Sequence, residues 1–282
     1  MPVPFLSFVM GTQSFAQDAP PADEPTLKLV EPGESAEDRE RVKLSEDSKA
    51  PASPDSSNTP ASATPEVGEP EKTKLPESIQ KMSEAEKNKL RGLLRDASTY
   101  LGGIRVQEAF AKLVDAEAMA PDYAAVWNLK GAAYTKLRDF ERAEKAFGKA
   151  VELDPTVFMS RFNLNEIYFV RGEFETANRA FAEMLASDEE LPPGTEPLIE
   201  FKIVICKLML DDEAGARDIM EKFDFLDDHP AYYFCNAAIH FSKDEEDEAK
   251  EWMESAEKIY DRNQINIYTD SLIEVGWLEN LQ

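Results

Sequence analysis

Small and apolar residues return along this chain every 34 positions. Tyr100, Tyr134 and Tyr168 keep that step, and so do Ala109, Ala143 and Ala177. Leu113, Phe147 and Phe181 repeat it, as do Ala116, Ala150 and Met184, and the pair Pro121 and Pro155. Within a period the apolar residues follow helical spacing. Leu90, Leu93, Leu94, Ala97, Tyr100 and Leu101 form one stripe at i, i+3, i+4 and i+7. Ser83-Glu84-Ala85-Glu86 ahead of it is a capping box, and Gly102-Gly103 stops it. A second helix is expected over about 105–118, with Ala109, Leu113 and Ala116 inward and Pro121 closing the unit. The pattern predicts an all-α helix–turn–helix solenoid, because each such unit buries its apolar face only against its neighbours.

Five units are expected, over about 90–123, 124–157, 158–188, 197–229 and 230–263, in a repeat domain spanning 78–263. The third keeps Leu164, Tyr168, Ala177 and Phe181, and Gly172 makes its turn. Glu189-Glu190-Leu191-Pro192-Pro193-Gly194-Thr195 then interrupts the period. Beyond it the pattern is sparse: Ala216 and Met220, then Ala249, Met253 and Ala256. A C-terminal capping element is expected over 264–282, its helix at about 266–280 carrying Tyr268, Leu272, Trp277 and Leu278.

Composition divides the chain. Of its 18 prolines, 12 precede residue 89, and no aromatic residue lies between Phe15 and Tyr100. Such a segment lacks the apolar surface that would offset its ordering entropy, so 17–77 is expected to be disordered. The formal charge of −25 argues against nucleic acid and anionic membrane surfaces as partners. Acid is densest over 211–260, with 16 Asp and Glu against 5 Lys and Arg. That surface favours solubility and leaves a basic partner open. The apolar run Pro4–Met10 is too short to span a membrane. With Ser14-Phe15-Ala16 after it, residues 1–16 read as the end of a secretory signal peptide, although no Lys or Arg precedes the run. Export to a periplasmic or extracellular space is the expectation, with cytoplasmic residence the alternative.

The unit at 124–157 spells Trp127-x3-Gly131-x2-Tyr134-x8-Ala143-x3-Phe147-x2-Ala150-x4-Pro155. This string resembles the tetratricopeptide repeat signature. Gly131 and Ala143 are expected where the paired helices cross closely, with the rings of Trp127, Tyr134 and Phe147 filling the space beside them. The third unit departs from the signature, with Arg161 in the Trp slot and Asn165 in the Gly slot. The resemblance implies that the first helix of each pair lines a concave face, and that the protein is a scaffold or peptide-binding module. Some members clamp a peptide carboxylate there with Lys, Asn and Arg. Here the slots hold Leu94, Ser98, Leu129, Met159 and Asn163, so that clamp is not expected.

Catalytic chemistry finds no residues. His229 and His240 lack zinc-type partners, and neither a phosphate loop nor a nucleophile elbow is visible. Neither enzyme activity nor a cofactor nor a metal is expected. Cys206 and Cys235 could form a disulfide in an exported protein, but the register favours two small buried hydrophobes, since the slot of Cys235 one repeat back falls on Lys202, a turn away from Cys206.

The implied concave slots are apolar. Phe162 and Phe169, Phe201 and Leu208, and Phe234 and Phe241 each lie seven apart on one helix face, with Glu166 and Ile205 between. Half exposed, five Phe and one Leu would present about 500 Å². Monomers rarely leave such a patch bare. Four covers compete: a partner peptide or helix, the chain's own C-terminal helix, a second copy in a homodimer, or ordinary core packing. The reading taken forward is a protein-interaction scaffold with this groove as its site. Self-association without a foreign ligand is the alternative. The leader reading has a direct check: mass spectrometry of mature native protein should find the chain cut after Ala16, and an intact Met1 rejects it.

Overall fold

A computed structural model describes residues 75–279. The expected leader and linker lie outside the described residues, apart from 75–77, where Glu77 already opens a short helix, α1 (Glu77–Gln80). The Ser78 amide donates to Asp122 at 3.1 Å and ties α1 to the first repeat.

Five helix pairs follow. They are α2 (Glu84–Gly102) with α3 (Val106–Met119), α4 (Ala124–Lys136) with α5 (Phe140–Leu153), and α6 (Phe158–Val170) with α7 (Phe174–Leu185). Then come α8 (Thr195–Met209) with α9 (Glu213–Met220) and α10 (Ala231–Phe241) with α11 (Glu246–Glu257). A last helix, α12 (Arg262–Glu274), closes the order. The architecture is an all-helical tetratricopeptide-like repeat stack. The Ser83–Glu86 capping box opens α2. A second one, Asp261 with Gln264, opens α12 four residues ahead of the expected start. That helix also stops early, at Glu274, and Trp277 and Leu278 lie beyond it, after Gly276 at φ 80°.

The turn inside every pair has the same geometry. A residue with positive φ sits at Ile104, Arg138, Gly172, Asp211 and Asp244. In each turn the amide of the next residue returns to a carbonyl five residues back. Arg105 donates to Tyr100, Asp139 to Tyr134, Glu173 to Tyr168, Asp212 to Lys207 and Glu245 to His240, at 2.8–3.0 Å. Lys207 and His240 therefore occupy the slot that Tyr134 holds in the clearest repeat. The turn keeps its shape where the sequence pattern fades, because it satisfies carbonyls left open at a helix end.

Close packing of a pair is clearest between α4 and α5. A methyl group on Gly131 would lie 2.5 Å from the Phe147 ring, and Phe147, Ala143 and Ala150 are fully buried. Tyr134 is half-buried with its ring 4.9 Å from Phe110 on α3. Trp127 is half-buried and looks back toward the preceding unit, its indole N–H donating to the Pro121 carbonyl at 2.8 Å. The exposed Pro155 follows the end of α5. The departures of the third unit also have local reasons. Arg161 pairs with Glu189 of the insertion, and the Asn165 amide meets the Met184 sulfur at 3.0 Å. The apolar interior falls into two clusters, one over the first two pairs with Ile167, the other from Phe162 to Leu272.

Gly131→Ala should destabilise the fold by about 1–3 kcal/mol in urea unfolding, because the added methyl overpacks the crossing. Gly148→Ala, on the same pair with nothing within 4 Å, should be neutral or stabilising by up to about 1 kcal/mol through helix propensity.

Candidate functional site: the concave face and the helix upon it

The eight residues read from the sequence as a groove are not open to solvent. Phe162 belongs to the interior of its own pair, 5% exposed, its ring 5.9 Å from Phe181 on α7. The groove reading fails for this residue because its ring turns between α6 and α7 instead of away from them. Phe169 is buried edge-on to Phe174 at 6.1 Å. Phe201, Ile205, Leu208, Phe234 and Phe241 are buried as well. These apolar residues are therefore present but covered.

The roof is α12. Its Tyr268 ring sits 5.0 Å from Phe201 and 5.4 Å from Phe234, which are themselves edge-to-face at 6.1 Å. Beyond the helix, Trp277 stacks on Phe241 at 6.3 Å. Ile265, Tyr268 and Leu272 form the apolar edge at i, i+3 and i+7, each buried. Of the four covers weighed from the sequence, the C-terminal helix is the one the structure places over α8 and α10.

A polar strip runs beside the apolar one. Lys202, 4% exposed on α8, sends its ammonium to Ser271 Oγ at 2.9 Å and pairs with Glu166 of α6 at 3.0 Å. The same ammonium lies 4.6 Å over the Phe169 ring. From the turn between α4 and α5, Arg138 Nη1 donates to both carboxylate oxygens of Glu274, at 2.9 and 3.1 Å. The Glu274 side chain is 4% exposed. Asp270, one turn earlier, acts electrostatically on Lys136 at the end of α4. Glu166 was read as part of a partner site and here serves this strip.

Titration reflects the burial. Desolvation raises the Glu274 pKa, and the Arg138 hydrogen bond and charge offset it only in part. Burial lowers the Lys136 pKa, with Asp270 opposing. Burial pushes the Cys206 thiol up to about 12 and raises Cys235 well above its usual value. Both cysteines are free and buried, so neither offers a reactive thiolate. His240 Nδ1 meets Glu245 Oε2 at 2.7 Å, within the repeating turn. Among the described residues no three His, Cys, Asp or Glu converge as a metal set, and no helix is long and apolar enough to cross a membrane.

The sequence pattern does not single out Lys136, Arg138, Asp270, Ser271 or Glu274, and it marks Lys202 only as a register position. The Asp261-x-x-Gln264 box was the available signal for the true start of α12. The ion pairs join positions up to 136 residues apart, which no local pattern reveals.

Glu274 yields a pH prediction. Its folded pKa lies above the ordinary 4.5, so the folded chain holds its proton longer than the unfolded chain. Stability then falls as pH rises through that window. Urea unfolding at about pH 5 and about pH 7 should show Glu274→Gln flattening this decline. At the higher pH the variant should equal the parent or exceed it by up to about 1 kcal/mol.

Known proteins bear on this architecture. Residues 124–157 match the tetratricopeptide repeat family. The chain is 25% identical over 142 residues to human Superkiller complex protein 3, a stretch covering 50% of this chain and 9% of that protein. It thus spans less than a tenth of that relative's length. Among solved structures it is similar to Pseudomonas aeruginosa pilF, 14% identical over 68% of this chain and 90% of that one, with a TM-score of 0.51. A tetratricopeptide repeat protein from Parabacteroides merdae is 18% identical, over 65% and 71% of the two chains, with a TM-score of 0.47. These likenesses concern fold: the chain carries a tetratricopeptide repeat at 124–157, set in an all-helical stack of the same kind.

Proposed function

We propose that this chain is a non-enzymatic protein-interaction module whose concave face is a receptor for one amphipathic helix. Tetratricopeptide domains typically mediate protein–protein contacts, which supports the general class. The observation that carries the specific reading is the seat of α12. Tyr268 fills the cleft between Phe201 and Phe234 while polar groups on either side are paired. This is helix-in-groove recognition, performed here within one chain. A partner helix gains the groove by displacing α12, whose own contacts include a buried carboxylate that is costly to desolvate.

Self-association is the second reading. The connection between α11 and α12 is only Lys258–Asp261, and a short hinge of that kind can pass a terminal helix to a second copy.

The test uses the full chain with Leu272→Asp, which places a charge on the buried edge of α12 and unseats it. A fluorescent peptide copying residues 261–279 should bind the variant saturably and bind the parent at least about tenfold more weakly, a difference of ~1.4 kcal/mol. A variant that keeps its helical circular dichroism and ignores the peptide would reject the receptor reading. A concentration-dependent dimer of the parent would favour the second copy.

A further inference from the structure

We infer that the groove sorts amphipathic helices by charge: beside the aromatic and aliphatic edge it takes acidic or neutral side chains one helical turn apart, as α12 carries, and rejects lysines there. This rests on the helix-receptor reading and names the partner's chemistry. The whole-chain charge of −25 points the other way, toward a basic partner. The local charge decides, because a docked helix meets the groove and not the average surface.

Three cations face α12 from three places in the stack. Lys136 ends α4, Arg138 lies in the turn after it, and Lys202 comes from α8. Lys202 is already engaged by Glu166 and uses a further donor on the neutral Ser271. Arg138 and Lys136 are answered by Glu274 and Asp270, four residues apart and hence on one edge of the helix. After Arg262, α12 carries no Lys or Arg. Helix polarity agrees: the C-terminal half of α12, with its negative dipole end, lies at Arg138 and Lys136. A partner helix would run the same way, its C-terminal end toward the α4–α5 turn.

The carboxylates act mainly as selectors. Burying Glu274 consumes much of what Arg138 returns, so a neutral side chain there binds nearly as well. A lysine in its place would bury an ammonium where Glu274 now sits, against the Arg138 guanidinium and with the buried Lys202 acting on the same point. Like charges so placed reject a partner strongly.

The experiment again uses full-length Leu272→Asp, with three peptides copying residues 261–279. One is the parent peptide. The second carries Asp270→Asn and Glu274→Gln, and the third carries Asp270→Lys and Glu274→Lys. The neutral peptide should bind within about threefold of the parent peptide, and the lysine peptide at least about tenfold more weakly. Lys136→Glu with Arg138→Glu in the receptor should invert that order. A lysine peptide binding as well as the parent would overturn the charge selection and leave the helix-receptor reading standing. Binding of none of the three to a folded receptor would instead remove the helix-receptor reading itself. A stable dimer exchanging its α12 helices would make the occupant a second copy and overturn the foreign partner. Should Leu272→Asp fail to fold, hydrogen exchange on the otherwise unchanged chain decides. Arg138→Glu should speed exchange of α12 amides about tenfold and leave those of α8 and α10 unchanged. Unaltered α12 protection would overturn the inference.

Discussion

Two phenylalanines on neighbouring helices meet edge-to-face and leave a cleft, and the C-terminal half of this fold is organised around filling it. Phe201 and Phe234 are fully buried, and the ring that meets both comes from α12 and not from a repeat. A repeat solenoid buries the contacts between successive units, but its inner face has no next unit to pack against. Tyr268 supplies the missing surface, and Leu272 and Ile265 extend it along one helix edge. Without α12, apolar side chains of α8 and α10 would face water.

The same helix adds polar links between regions that the repeats already join. The interior divides near the third pair into two apolar clusters, and Glu274 and Asp270 reach across to Arg138 and Lys136 on the far side of that division. Arg138 also holds the left-handed position of its turn. That backbone conformation is the shared device of all five turns, so the residue that contacts α12 stands on one of the most regular points of the stack. The site borrows its rigidity from the repeat.

The fold was legible in the sequence wherever side chains repeat. Gly131 and Phe147 announce a close crossing through a missing Cβ and a large ring at a fixed offset. The turns were less legible, because Ile104, Arg138, Gly172, Asp211 and Asp244 share a backbone angle and no common side chain. The stripe at 201, 208, 234 and 241 picked out four of the buried positions on helices that are buried nearly all round. It did not say what covers them, since helical spacing is the same for core and for groove. Phe162 shows the limit: its spacing matches the others, while its ring packs on Phe181 inside the pair. The ion pairs with α12 lay beyond reach because they join residues far apart in the chain, Arg138 and Glu274 being 136 positions apart.

Charged groups beside the apolar edge set how α12 sits. An all-apolar edge on α12 would bind the Phe201–Phe234 cleft more tightly and accept many amphipathic helices. Glu274 gives up hydration to meet Arg138, so the pair adds little net strength, while a wrong charge at that point is punished heavily. Lys202 works in the same way: its ammonium is held by Glu166, Ser271 and the Phe169 ring, and only a side chain that accepts a hydrogen bond completes the set. Aromatic contact thus provides the attraction, and the polar strip sets orientation and charge. A seat built on that division fixes which helix edge faces α8 and α10 and which way the helix runs.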